Sequence, residues 1–71
     1  PRREGDPLGG ITPRQREVLR LLARGRTTTE IAEELGIGIK AVEFHRTRLR
    51  RALGLSSTPA LIRYAVSRGL A

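Results

Sequence analysis

Glycines at 25, 36, 54 and 69 cut this chain into runs of helical periodicity, and that punctuation constrains the fold more than any other feature. Each follows a stretch whose apolar residues recur every three or four positions, where a glycine ends a helix by adopting backbone angles that other residues resist. The openings are equally marked. Thr12-Pro13-Arg14-Gln15 offers a threonine cap, a proline at the first helical position and a glutamine three residues after the cap. Thr27-Thr28-Thr29-Glu30 repeats the box with glutamate, and Ser57-Thr58-Pro59 opens a further run. Gly38 is a weaker cap than serine for the run between them. The spacing predicts helices over about 13–24, 28–35, 39–53 and 58–68 with no strand, an all-α four-helix bundle.

Size fixes how such helices are held. A chain of 71 residues with 38% apolar content makes one domain around a single core, burying about 60% of its unfolded surface. It has no cysteine, so neither a disulfide nor a thiolate metal site can staple it. No run approaches the roughly 18 apolar residues of a membrane span, and PRREGDPLGG lacks the apolar stretch of a secretory signal. A cytoplasmic protein with no membrane partner is expected. The start without methionine, rich in loop formers and cancelling charges, reads as a linker over 1–10 cut from something longer, with the folded domain over 11–71.

The net charge of +7 is unevenly spread. Residues 1–11 balance Arg2 and Arg3 against Glu4 and Asp6, and residues 12–39 set five arginines against four glutamates. Between 40 and 51, Lys40, Arg46, Arg48, Arg50 and Arg51 stand against Glu43 alone. Cations clustered on one element are the electrostatic footprint of a nucleic-acid binder, because phosphates reward them through counterion release. A solvated face or an acidic protein or membrane surface would also suit them, and charge alone does not choose.

The third helix carries more than charge. At about 100° per residue, Val42, Leu49 and Leu53 share a narrow arc flanked by Ile39, His45, Arg46 and Ala52, which is the expected core side. Lys40, Phe44, Thr47 and Arg51 fall opposite, with Glu43 and Arg48 at the edges. That outward face combines cations for phosphates, a ring able to touch a thymine methyl, and a carboxylate able to accept from cytosine N4. A merely solvated face has no use for Phe44. Ahead of it, Ala32 and Gly36 stand four apart, with Ile31 and Leu35 before each, Ile37 after, and Val42 six beyond Gly36. This is the helix-turn-helix pattern: a small residue where the helices cross, a glycine for positive φ at the turn, and apolar residues locking the pair. Such a unit places its second helix in the DNA major groove.

From Ile11 to Leu70 the chain resembles the LuxR-type (GerE-like) DNA-binding domain that ends many bacterial response regulators, quorum-sensing receptors and large ATP-dependent regulators. The motifs that carry the resemblance are ITPRQREVLRLLARG, TTTEIAEELGI, AVEFHRTRLRRALGL and SSTPALIRYA, in the family's order and spacing. The resemblance implies four helices, double-stranded promoter DNA as partner, recognition by the third helix, and homodimerisation through the fourth on two half-sites. An N-terminal sensor or receiver domain is implied in the full-length chain. Two positions depart from the family's habit: Gly38 stands where serine is common, and Glu43 where lysine or arginine is frequent. Glu43 either reads cytosine or pairs within the helix with Arg46 or Arg48, the pair being the favoured reading.

By facing angle and resemblance, the DNA-binding candidates are Lys40, Glu43, Phe44, Thr47, Arg48 and Arg51. Thr28 and Thr29 join them, because backbone N–H groups and the positive dipole end of a helix suit a phosphate. His45, near the core edge, suits a structural role better than a phosphate contact, and Glu17 with Arg46 suits either an ion pair or separate solvated charges. On the fourth helix, Leu61, Ile62, Ala65, Val66 and Leu70 are expected to face the core, leaving Arg63, Tyr64 and Ser67 for a dimer contact. Catalysis finds no support: one histidine, no cysteine and no paired carboxylates leave nothing for acid, base or nucleophile roles, and no Walker lysine follows Gly9-Gly10. No enzyme, metal or cofactor is expected. A sigma-factor promoter-binding region shares the first three helices but not SSTPALIRYA, and a helical interaction module with a basic face is the rival from another class.

Overall fold

The hydroxyl caps act as their spacing predicts. In the computed structural model, which describes residues 10–70, the helices are α1 (Pro13–Ala23), α2 (Thr28–Leu35), α3 (Ile39–Leu53) and α4 (Thr58–Ser67). Thr12 Oγ1 accepts from the Gln15 N–H at 3.1 Å, and Gln15 Oε1 accepts from the Thr12 N–H at 3.0 Å. Thr27 and Glu30 make the same reciprocal pair at 3.1 and 2.8 Å. α4 opens on Ser57, whose Oγ accepts from the Ala60 N–H at 3.2 Å. Each bond satisfies a first-turn N–H that has no partner inside its own helix. Gly38 gives α3 no side-chain cap.

The helix ends share one device. Gly36 has φ of 67°, and the chain turns back so that the Ile37 N–H reaches the Ala32 carbonyl at 3.0 Å. The same bond spans five residues at Arg26 to Leu21, Leu55 to Arg50 and Leu70 to Ala65, at 3.1, 2.8 and 3.0 Å. α1 and α4 are one residue shorter than expected because Arg24 and Arg68 have already left helical geometry as caps. The expected linker, residues 1–10, lies outside the described residues apart from Gly10.

α1 touches all three other helices, and it supplies Val18, Leu19, Leu21 and Leu22 to the core. Ile31 and Ala32 come from α2, Val42 and Leu49 from α3, and Leu61 and Ala65 from α4. α3 packs against α1, α2 and α4, whereas α2 and α4 do not touch each other. The core is therefore a central α1–α3 pair with α2 and α4 leaning on it from separate sides. Among the described residues, no helix is long and apolar enough to cross a membrane.

Three residues expected on the core side lie elsewhere. Ile39 is 46% exposed, and Ala52 is exposed beside Thr12 and Gln15 at the open N-terminal end of α1. A wheel assigns an angle to a side chain but not a neighbour, and no helix fully covers α3 at those heights. Val66, 53% exposed, lies about 120° around α4 from the midpoint of Leu61 and Ala65, too far to reach α1 or α3.

Leu49→Ala should cost about 2–5 kcal/mol, a large part of the roughly 4–10 kcal/mol available to a chain of this size. Gly38 has φ of −75°, and a Cβ there would meet nothing within 4 Å, so Gly38→Ser should stabilise. The gain expected from a cap oxygen and a stiffer unfolded chain is about 0.5–1 kcal/mol. Urea titration of the two variants checks both signs.

Candidate nucleic-acid interface

The outward side of α3 is built by a packing decision on its inward side. Burial of Val42 and Leu49 against the core fixes the rotation of the helix. Lys40, Glu43, Phe44, Thr47, Arg48 and Arg51 are left lining one open depression. Phe44 stands there 58% exposed. The Arg48 guanidinium, one turn on, lies over its ring at 5.6 Å, and the His45 ring meets it edge-on at 5.9 Å and 64°. These contacts restrain an apolar side chain that the core does not hold. Arg48 and Arg51 also border a second depression, which runs on to Gly10, Thr12, Gln15 and Ala52.

The five cations between 40 and 51 divide by direction. Lys40, Arg48 and Arg51 are exposed. Arg50 turns toward the α3–α4 connection, donating to the Ser56 carbonyl at 3.3 Å, with its Nε buried and unpartnered among the described residues. Arg46 turns to α2 and donates to Thr28 Oγ1 at 2.7 Å. That bond joins the middle of α3 to the first residue of α2. It was not legible in the spacing, which left a Glu17–Arg46 ion pair open against separate solvated charges; Glu17 pairs instead with Arg14 at 3.3 Å. Two of the five cations are thus spent inside the fold.

Thr28 is half-buried and Thr29 exposed at the start of α2. The Thr28 oxygen accepts from Arg46, so its hydroxyl hydrogen remains available as a donor on the side where the first-turn N–H groups emerge. Glu43 has no cation within ion-pair distance among the described residues, which overturns the expected intrahelical pair. The reason is geometric: Arg46 is engaged with Thr28 and Arg48 with Phe44. His45 is half-buried, and its Nδ1 is enclosed without a hydrogen-bond partner among the described residues.

On α4, Arg63 and Ser67 are exposed as expected. Tyr64 is not on that outer surface: it is half-buried, its hydroxyl is enclosed, and Arg68 covers its ring at 4.8 Å. Val66 takes its place beside Arg63 and Ser67.

A four-helix frame with a glycine-turned α2–α3 pair and a cationic outer α3 has counterparts. The model of the bacterial regulatory proteins of the luxR family matches residues 10–65. This chain belongs to the LuxR family. The LuxR-type domain is 48% identical over 65 residues to the transcriptional regulatory protein MctR of Rhizobium johnstonii, covering 92% of this chain and 29% of MctR. The solved VqmA dimer of Vibrio cholerae superposes with a TM-score of 0.78 at 42% identity, over 84% of this chain and 27% of VqmA. The transcription factor GerE superposes with a TM-score of 0.73 at 32% identity, over 84% of this chain and 90% of GerE. The chain spans under a third of MctR and of VqmA and nearly all of GerE. It is a DNA-binding domain of the kind carried by transcription regulators.

Removing the Thr28 hydroxyl tests the α2–α3 tie. Thr28→Val should lower stability by about 1 kcal/mol, with Thr28→Ser recovering most of the loss. Equal stability of wild type and Thr28→Val in urea titration would mean the tie contributes nothing.

Proposed function

We propose that this LuxR-type domain binds promoter DNA in a sequence-specific manner, with α3 in the major groove, as a homodimer joined through α4. The observation that carries the reading is the gathering of Lys40, Glu43, Phe44, Thr47, Arg48 and Arg51 around one outward depression of α3. A major groove about 12 Å wide admits such a helix, and its base edges present methyl groups, donors and acceptors that this set can meet. Phe44 and Thr47 are of the size and chemistry to read base edges; Lys40, Arg48 and Arg51 supply charge for phosphates or guanine. Thr28 and Thr29 anchor the backbone of the duplex at the start of α2, where the helix dipole and N–H groups favour a phosphate. Arg46 holds Thr28 in place while adding its own charge nearby.

The dimer reading rests on α4. Val66 leaves an apolar side chain 53% exposed beside the exposed Arg63 and Ser67. Exposed apolar surface next to polar side chains suits a protein contact. VqmA of Vibrio cholerae, similar in fold and sequence, is a dimer whose conformation shifts in the absence of its target DNA. Two-fold related copies would present two α3 helices to half-sites about one helical turn apart.

The exposed Lys40, Arg48 and Arg51 of each of two copies, about six phosphate contacts in all, should give a log-log fall of affinity with salt of slope near −5. Arg51→Ala should weaken binding to every duplex and reduce the slope by about 1 for each bound copy, whereas Phe44→Ala or Thr47→Ala should change which sequence is preferred. Equal losses on every duplex for all three variants would defeat the division between positioning and reading. Val66→Asp should leave thermal stability intact while reducing the bound stoichiometry from two chains per site to one, read by analytical ultracentrifugation with labelled DNA.

A further inference from the structure

Glu43 is an anomaly on a surface proposed to meet a polyanion. It lies at the edge of the α3 depression, which Lys40, Phe44 and Thr47 also line, and it is exposed. A carboxylate in such a place is ordinarily neutralised by a neighbouring cation. Here Arg46, three residues on, donates across to Thr28 Oγ1 at 2.7 Å, and Arg48 stacks over Phe44 at 5.6 Å. Among the described residues, the ion pairs are Arg14–Glu17 and Arg26–Glu34, and neither involves Glu43. In the free protein water satisfies this carboxylate at no cost. Against DNA it loses that water and needs a donor, since an ionised carboxylate can only accept.

The major groove offers two kinds of base donor, the amino groups of cytosine N4 and adenine N6. Guanine O6 and N7 and thymine O4 are acceptors and repel a carboxylate. Adenine N6 stands between the N7 acceptor of its own base and the O4 acceptor of the paired thymine, so an acceptor-only group approaching it gains one hydrogen bond and meets two repulsions. Cytosine N4 has one acceptor beside it, the O6 of the paired guanine, and only C5–H on its other side, so it is the donor that repels a carboxylate less. We propose that Glu43 is a specificity-determining residue that accepts a hydrogen bond from cytosine N4, fixing one C·G pair in each half-site. This rests on the reading of α3 as the groove helix. The same carboxylate penalises every other base at that position, so Glu43 acts by rejection as much as by attraction. The cations around it then offset its charge against the phosphates and leave its contribution to discrimination.

Binding-site selection from a random duplex pool, run in parallel with the 71-residue wild type and with Glu43→Gln, tests this. Glutamine keeps the shape but can donate and accept together, the pairing suited to adenine N6 and N7. Wild type should select cytosine at one position per half-site, with each alternative base bound roughly 5- to 150-fold more weakly. Glu43→Gln should shift that one position to adenine and leave the others unchanged. If both proteins select the same base at every position, Glu43 reads nothing and the proposal is overturned while groove recognition stands. If Glu43→Gln tightens binding to all duplexes equally, the carboxylate is only a repulsive charge, which also overturns it. Failure of the wild type to enrich any sequence would instead defeat the reading of α3 on which the proposal rests.

Discussion

The contact of α1 with the three other helices is the condition for everything else in this domain. No cysteine cross-links the chain, and helices of 8 to 15 residues are too short to persist alone in water. Leu19 and its neighbours therefore decide whether α2, α3 and α4 exist as helices at all. They also decide orientation, because burying Val42 and Leu49 rotates α3 until the opposite residues face outward. The working surface is what remains of α3 after the core has taken its share.

That division extends to charge. A dense run of cations on a small domain repels itself, and the fold relieves part of this by giving Arg46 and Arg50 internal oxygen partners at Thr28 and Ser56. The exposed cations are then fewer than the sequence counts, and they flank an aromatic ring and a carboxylate with their own directional chemistry. Affinity for a polyanion needs only positive charge; the presence of Phe44, Thr47 and Glu43 among the cations is what makes discrimination between sequences physically available.

The helix boundaries were legible because they are written locally. A cap, its partner three residues on and a terminal glycine are read within one turn of chain, and the structure places them within a residue of expectation. The helix-turn-helix pair was legible for a similar reason, since Ala32, Gly36 and Val42 lie close in sequence. What escaped was whatever depends on a distant neighbour. Periodicity placed Arg46 at the core edge but did not reveal the Thr28 oxygen eighteen residues earlier, so the favoured Glu43 pair was misjudged and the choice for Glu17 stayed open. Tyr64 and Val66 exchanged places for the same reason: an aromatic residue with a polar tip is ambiguous until the helix beside it is known. The outward facing of Lys40, Phe44, Arg48 and Arg51 was legible as well, because α3 turns them away from the buried Val42 and Leu49; the roles proposed for them rest on that facing and on their chemistry.

The separation of α2 from α4 has a further consequence for how this domain varies. The two helices meet only through α1 and α3, so changes on them that share no contacted residue should sum in their effects on stability. On a common α1–α3 frame, the outer residues of α4 and the opening of α2 around Thr28 can then change one without the other.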